Sequence, residues 1–204
     1  MNGTAMLAKG STVRGTLDFV RDARGADGLA RVLATLDPHA REAVERAAAT
    51  DEVDYDVLVT LWKAADAEFA ATDPEWMERA GGYSIARGGT AMYGGILRKK
   101  DPIEFLTQSV SLFRLYYHPG DMTVVEHEGN RAVLRLVGFD ARTGLFCRRQ
   151  TGGLAMALEI AGGEKPVVRH VRCTQEGDAY CEWEMTWQGA ERAPRETPGR
   201  GLER

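Results

Sequence analysis

Apolar residues recur at helical spacing through the first half of the chain and at alternate positions through much of the second. Val13, Leu17 and Val20, with Phe19 beside them, predict a helix from about Thr12. Gly25 can take the left-handed conformation that ends a helix, so the helix is expected to stop there. Leu29, Val32, Leu33 and Leu36 predict a second, short helix. Asp37-Pro38 starts the next one, with aspartate as N-cap and proline in the first turn, where its missing N–H costs nothing. Tyr55 to Phe69 carries an apolar face made of Val57, Leu58, Leu61, Trp62, Ala65 and Phe69. Asp73-Pro74 and Asp101-Pro102 repeat the start signal. The helix opened by Asp101-Pro102 is expected to run through Ile103, Phe105, Leu106, Val110 and Phe113 to Tyr116-Tyr117-His118, with Pro119-Gly120 ending it.

The period then changes to two. MTVVEHEGNRAVLRLVGF reads as a hairpin turning at Glu128-Gly129-Asn130. A helix follows over residues 141–161 and Gly162-Gly163 closes it. A second hairpin spans residues 166–187 and turns at Glu176-Gly177-Asp178. Helices first and hairpins later predict an α/β (α+β) fold, with N-terminal helices packed on an antiparallel sheet made of the C-terminal hairpins. The expected organisation is a small, polar, flexible N-terminus over residues 1–11, one domain over residues 12–188 and a disordered tail over residues 189–204.

Gly-Gly pairs at 81–82, 88–89 and 94–95 fall near one face of the helix that Asp73-Pro74 opens. Each interior glycine costs up to ~1 kcal/mol relative to alanine. Six of them call for a reason: close backbone approach by a partner helix or a ligand, tight helix packing inside one subunit, or a broken helix.

Composition narrows the function classes. A hydrophobic content of 44% and a charged content of 27% are ordinary for a globular domain. A net charge of −4 gives no case for nucleic acid, which asks for a basic patch. No apolar run approaches the ~18 residues of a membrane span, and the N-terminus lacks the apolar core of a secretory signal. Three cysteines and no export signal lead to an expected cytoplasmic location, with thiols rather than disulfides.

All three cysteines, Cys147, Cys173 and Cys181, lie in one stretch with His170. If the second hairpin is centred on Gly177, Cys173 and Cys181 are directly opposite one another on the face shared by Trp183, Met185 and Trp187. Cys147 comes from the start of the preceding helix. This grouping of soft ligands suggests a structural zinc that clasps the corner of the fold. His170 stands an odd step from Cys173, so it joins the site only if a bulge intervenes. Glu182, Glu184 or water are the other candidates for a fourth ligand. Three buried cysteines acting as small hydrophobes would account for each residue separately, but not for the clustering.

The segment VVRHVRCTQEGDAYCEWEMTW resembles the end of the 4-vinyl-reductase-type domain, a small-molecule-binding module related to the sensor domains of bacterial phenol- and xylene-responsive activators. The resemblance implies Zn2+ held at Cys147, His170, Cys173 and Cys181, with His170 standing where those sensors carry a glutamate. TVRGTLDFVRDARGADGLARVLATL, FRLYYHPG and the closing hairpin resemble an uncharacterised myxobacterial family of similar length. The wider superfamily includes haem-based nitric-oxide sensors and TRAPP-type trafficking subunits. It implies helices on an antiparallel sheet and dimerisation through helices.

The expected function is a non-enzymatic regulatory module of signalling type, with a structural metal and a small hydrophobic ligand. Its pocket would be lined by Trp76, Tyr93, Phe113, Tyr116, Tyr117 and His118. The alternative is a homodimeric scaffold that binds a protein partner and no small molecule. No nucleophile elbow, phosphate loop or HExxH motif is present. Tyr83-Ser84-Ile85-Ala86-Arg87 resembles the haem-sensor signature only loosely, with its serine one place early. His39, His118 and His127 stand alone, so haem is not expected.

Overall fold

The computed structural model describes residues 5–92, 102–111 and 113–189. Its N-terminal half is helical. Helix α1 (Gly10–Ala34) bends at Gly25, whose φ of 71° and ψ of −177° leave the helical region. The predicted stop is therefore a kink, and the two expected helices continue one another across it. Helix α2 (Pro38–Arg46) starts as expected: Asp37 accepts a hydrogen bond from the Ala40 N–H. Helix α3 (Tyr55–Phe69) buries the whole predicted face, with Leu58, Leu61, Trp62, Ala65 and Phe69 sealed from solvent. Full burial of large apolar side chains stabilises by about 1.5–3 kcal/mol each. Helix α4 is Trp76–Met92.

The helix expected from Pro102 to His118 ends before Tyr117. Helix α5 (Pro102–Ser111) and a single turn, α6 (Phe113–Tyr116), are followed by a two-residue strand, β3 (Tyr117–His118). That strand belongs to a small sheet with no counterpart in the expected fold. Strand β1 (Leu7–Lys9) sits at its centre, between β2 (Glu52–Asp54) and β3. Residues 7–9, expected to be flexible, all pair with β2, and Leu7 and Ala8 pair with β3 as well, antiparallel in each case.

The second sheet follows the hairpin prediction closely. Strands β4 (Asp121–Glu128) and β5 (Arg131–Val137) form the first hairpin. Helix α7 (Gly144–Ile160) leads into β6 (Glu164–Arg172) and β7 (Cys181–Gln188), and the sheet order is β4-β5-β7-β6. The inward residues of β7 are Cys181, Trp183, Met185 and Trp187, all buried. The fold is thus mixed α/β with two antiparallel sheets, as the change of period predicts.

Helix α7 joins the two halves. It lies between the second sheet and α4, and its crossing with α4 is backbone on backbone. A Cβ on Gly152 would stand 1.8 Å from the Glu78 carbonyl oxygen, and one on Gly81 would stand 2.0 Å from that of Arg149. The first of the predicted glycine pairs, 81–82, therefore serves packing inside the chain. The pair at 94–95 lies outside the described residues.

Candidate functional site: a sulfur corner and a packed interior

The four expected metal ligands converge. Thr143 caps α7, accepting from the Leu145 N–H, and this places Cys147 in the first turn, facing the sheet. The β6–β7 connection turns through a left-handed Gly177, φ 97°. Asp178 accepts from the Cys173 N–H at 2.8 Å and fixes the end of β6. The register of β6 on β7 shifts between His170 and Arg172. This is the bulge that the odd step requires, and it brings His170 to the side of the cysteines. Cys147 Sγ lies 3.8 Å from Cys181 Sγ and 4.0 Å from Cys173 Sγ. The four ligand atoms all fall within 4.8 Å of one another.

The cysteines are free and buried. The Cys181 thiol is pulled well below its ordinary range, first by a hydrogen bond from Cys147 and then by His170 and Thr174. Cys147 is pushed up, because it donates to Cys181 and is desolvated. His170 stacks on Trp183 with ring centroids 4.7 Å apart, and its Nε2 is buried without a hydrogen-bond partner. Of the other candidates for a fourth ligand, Glu182 is engaged by Arg135 at 2.7 and 2.9 Å, and Glu184 is ion-paired with Arg131 at 3.5 Å.

The residues expected to line a pocket do not form one group. Phe113 and Tyr117 touch, with centroids 5.3 Å apart, and belong to an aromatic cluster with Tyr55, Phe139 and Phe146. Trp76 is on another side of the core, stacked on Phe69 and donating to Asp66 at 2.7 Å. Tyr116 is half-buried, His118 is exposed, and Tyr93 lies outside the described residues.

No family model matches the chain, and no curated protein does. Solved structures do. An H-NOX protein from S. oneidensis in the Fe(II)NO ligation state superposes with a TM-score of 0.68 at 16% identity, covering 89% of this chain and 99% of that one. A mutant of an H-NOX protein from S. oneidensis in the Fe(II) ligation state gives 0.69 at 15% identity, covering 90% and 98%. The Fe(II) unliganded H-NOX protein from K. algicida gives 0.68 at 14% identity, covering 89% and 97%. The chain has the H-NOX fold. This corrects two expectations. The 4-vinyl-reductase-type resemblance is not supported, since the structural neighbours are H-NOX proteins. The structural zinc falls with it, because the cofactor named among these neighbours is haem.

Haem itself can be tested against the residues present. All four histidines lie among the described residues. His39, His118 and His127 are exposed, and His170 is held in the sulfur corner. The space where the helices meet the second sheet holds Tyr55, Phe113, Tyr117, Phe139 and Phe146, whose neighbouring rings stand 4.6–6.4 Å apart. None of the four histidines lies within that interior, where one would have to hold a haem iron. The H-NOX fold is present, but its residues do not fit a histidine-ligated haem.

Sequence reasoning missed one residue of the interior. Arg149, on α7, is buried and hydrogen-bonds Ser84 of α4. Its neighbour Arg148 forms an ordinary ion pair with Glu78 at 2.7 Å. The signal is its position: residues 146, 149, 153 and 157 form one stripe of α7, and Arg149 is the charged member of it.

Proposed function

We propose that this chain is a non-enzymatic, sensor-type regulatory module that binds a small, non-haem ligand within an H-NOX fold and acts in the cytoplasm. The observation that carries this reading is the fold match over nine-tenths of the chain and nearly all of each neighbour. Those neighbours are named for ligation states of iron, and in this chain the ligand would lie where the helices meet the second sheet. The sulfur corner is the anchored end of that interior. Cys147, His170, Cys173 and Cys181 gather within one small volume. Their contacts tie the first turn of α7 to both strands of the second hairpin. The role assigned to the corner is rigidity rather than catalysis.

Native mass spectrometry of the purified full chain tests the reading. A mass excess that disappears on denaturation and is not porphyrin supports it. A chain of bare polypeptide mass that binds no member of a small-molecule library refutes it.

A further inference from the structure

One buried cation of the interior has no carboxylate to balance it among the described residues. Arg149 is 5% exposed. Its Nη2 donates to Ser84 Oγ at 2.6 Å, its guanidinium lies 5.7 Å from the Trp62 ring centre, and Tyr117 is a further hydrogen-bond neighbour. Its Nη1 is buried with no partner. Burial pulls its pKa down, and the group opposing that effect is the Tyr117 phenol. The partly buried arginines elsewhere differ: Arg135 has Glu182 and Arg148 has Glu78. Guanidinium does not escape burial by losing its proton, because its pKa exceeds ~12. An unpaired buried charge costs several kcal/mol. The surroundings are polar where they face it: Thr12 and Thr16 are buried, and Thr16 accepts from Trp62 Nε1 at 3.2 Å.

We propose that Arg149 is the anchor of a binding site for a compact monocarboxylate with an apolar body. This rests on the ligand-binding reading above and names the chemistry of the ligand. One carboxylate cancels the single positive charge and accepts from the free Nη1, using the planar fork that suits carboxylates. A phosphate dianion would leave net negative charge in the same buried setting, at a comparable penalty. The apolar body would pack among Trp62 and the rings around Tyr117, which are closed on one another in this structure, so binding displaces them. Gly15 of α1 keeps that wall low: a Cβ there would stand 2.9 Å from Ser84 Oγ and 3.9 Å from Arg149 Nη2.

The test is a thermal-melting titration of the full chain with sodium propionate, and separately with sodium phosphate, at constant ionic strength. Propionate at a hundredfold excess over its Kd raises the wild-type Tm by roughly 5–10 °C, and Arg149→Met abolishes the shift. If Arg149→Met does not fold, Arg149→Lys, which keeps the charge without the fork, binds propionate at least about tenfold more weakly. An equal shift in wild type and variant, no shift with propionate, or stronger binding of phosphate overturns the assignment. A neutral ligand found by native mass spectrometry would leave the ligand-binding reading standing while removing Arg149 from it.

Discussion

Alanine at Gly152 tests the joint between the two halves of the fold. The added methyl would lie 1.8 Å from the Glu78 carbonyl oxygen, 2.4 Å from its carbon and 2.6 Å from its Cα. All three are backbone atoms of α4, so no side chain can swing aside. Relief requires α4 and α7 to part by about 1.5 Å, which opens a seam in a close-packed interior. Overpacking of this kind costs ~1–3 kcal/mol, and an immovable neighbour puts the change at the upper end. Alanine returns up to ~1 kcal/mol of helix propensity. The net expectation is a loss of about 2 kcal/mol, or a Tm lower by roughly 4–8 °C for a chain of this size. Gly144→Ala is the internal control: it lies on the same helix, and its Cβ would meet nothing within 4 Å. It should change stability by no more than about 0.5 kcal/mol. Thermal melts and urea titrations of both variants beside wild type supply the comparison. If Gly152→Ala melts with or above wild type, the helices do not cross at this distance and the reasoning fails.

Haemin added to the purified chain should give no sharp Soret band shift and no stoichiometric endpoint; a one-to-one complex with a histidine-ligated spectrum would show that the aromatic interior opens. Cys181→Ser removes the sulfur that Cys147 and Thr174 both contact and should lower the urea midpoint; a midpoint equal to that of wild type would remove the corner from the stability of the fold. Tyr55→Phe removes the buried hydrogen bond from the hydroxyl to the Ala141 carbonyl, 2.9 Å long, and should cost about 1–2 kcal/mol in urea unfolding. Asp37→Ala removes the N-cap of α2 and should cost about 1 kcal/mol in the same assay.

The parts of the fold that are legible in the sequence are those whose signals are local. Helix α3 has a full apolar face, and its bounds follow to the residue; Asp37-Pro38 marks the start of α2 through a cap that the side chain makes. The β6–β7 hairpin and its cysteine face follow from alternation about Gly177. The small sheet is not legible, because strands of two or three residues carry no period and their partners lie far apart in the chain, as Leu7 with Asp54 and His118. Gly25 reads as an end, whereas the chain turns there and resumes. The four-residue corner assembles from spacing, and the bulge that His170 needs is a condition that spacing states without locating it. Arg149 is invisible as a site because its neighbour Arg148, with the same chemistry, faces the ion-paired side; only the phase of α7 separates them.

The bulge that turns His170 toward the cysteines lies in β6, a strand with β7 on one side and no other partner among the described residues. A long regular edge strand offers its open N–H and C=O groups to any other chain in extended form. Here the irregularity interrupts that row, and Lys165, Arg169 and Arg172 add positive charge along it. The distortion that completes the sulfur corner also blunts an edge from which this sheet could grow, so straightening β6 would be expected to promote strand-to-strand aggregation as well as to displace His170.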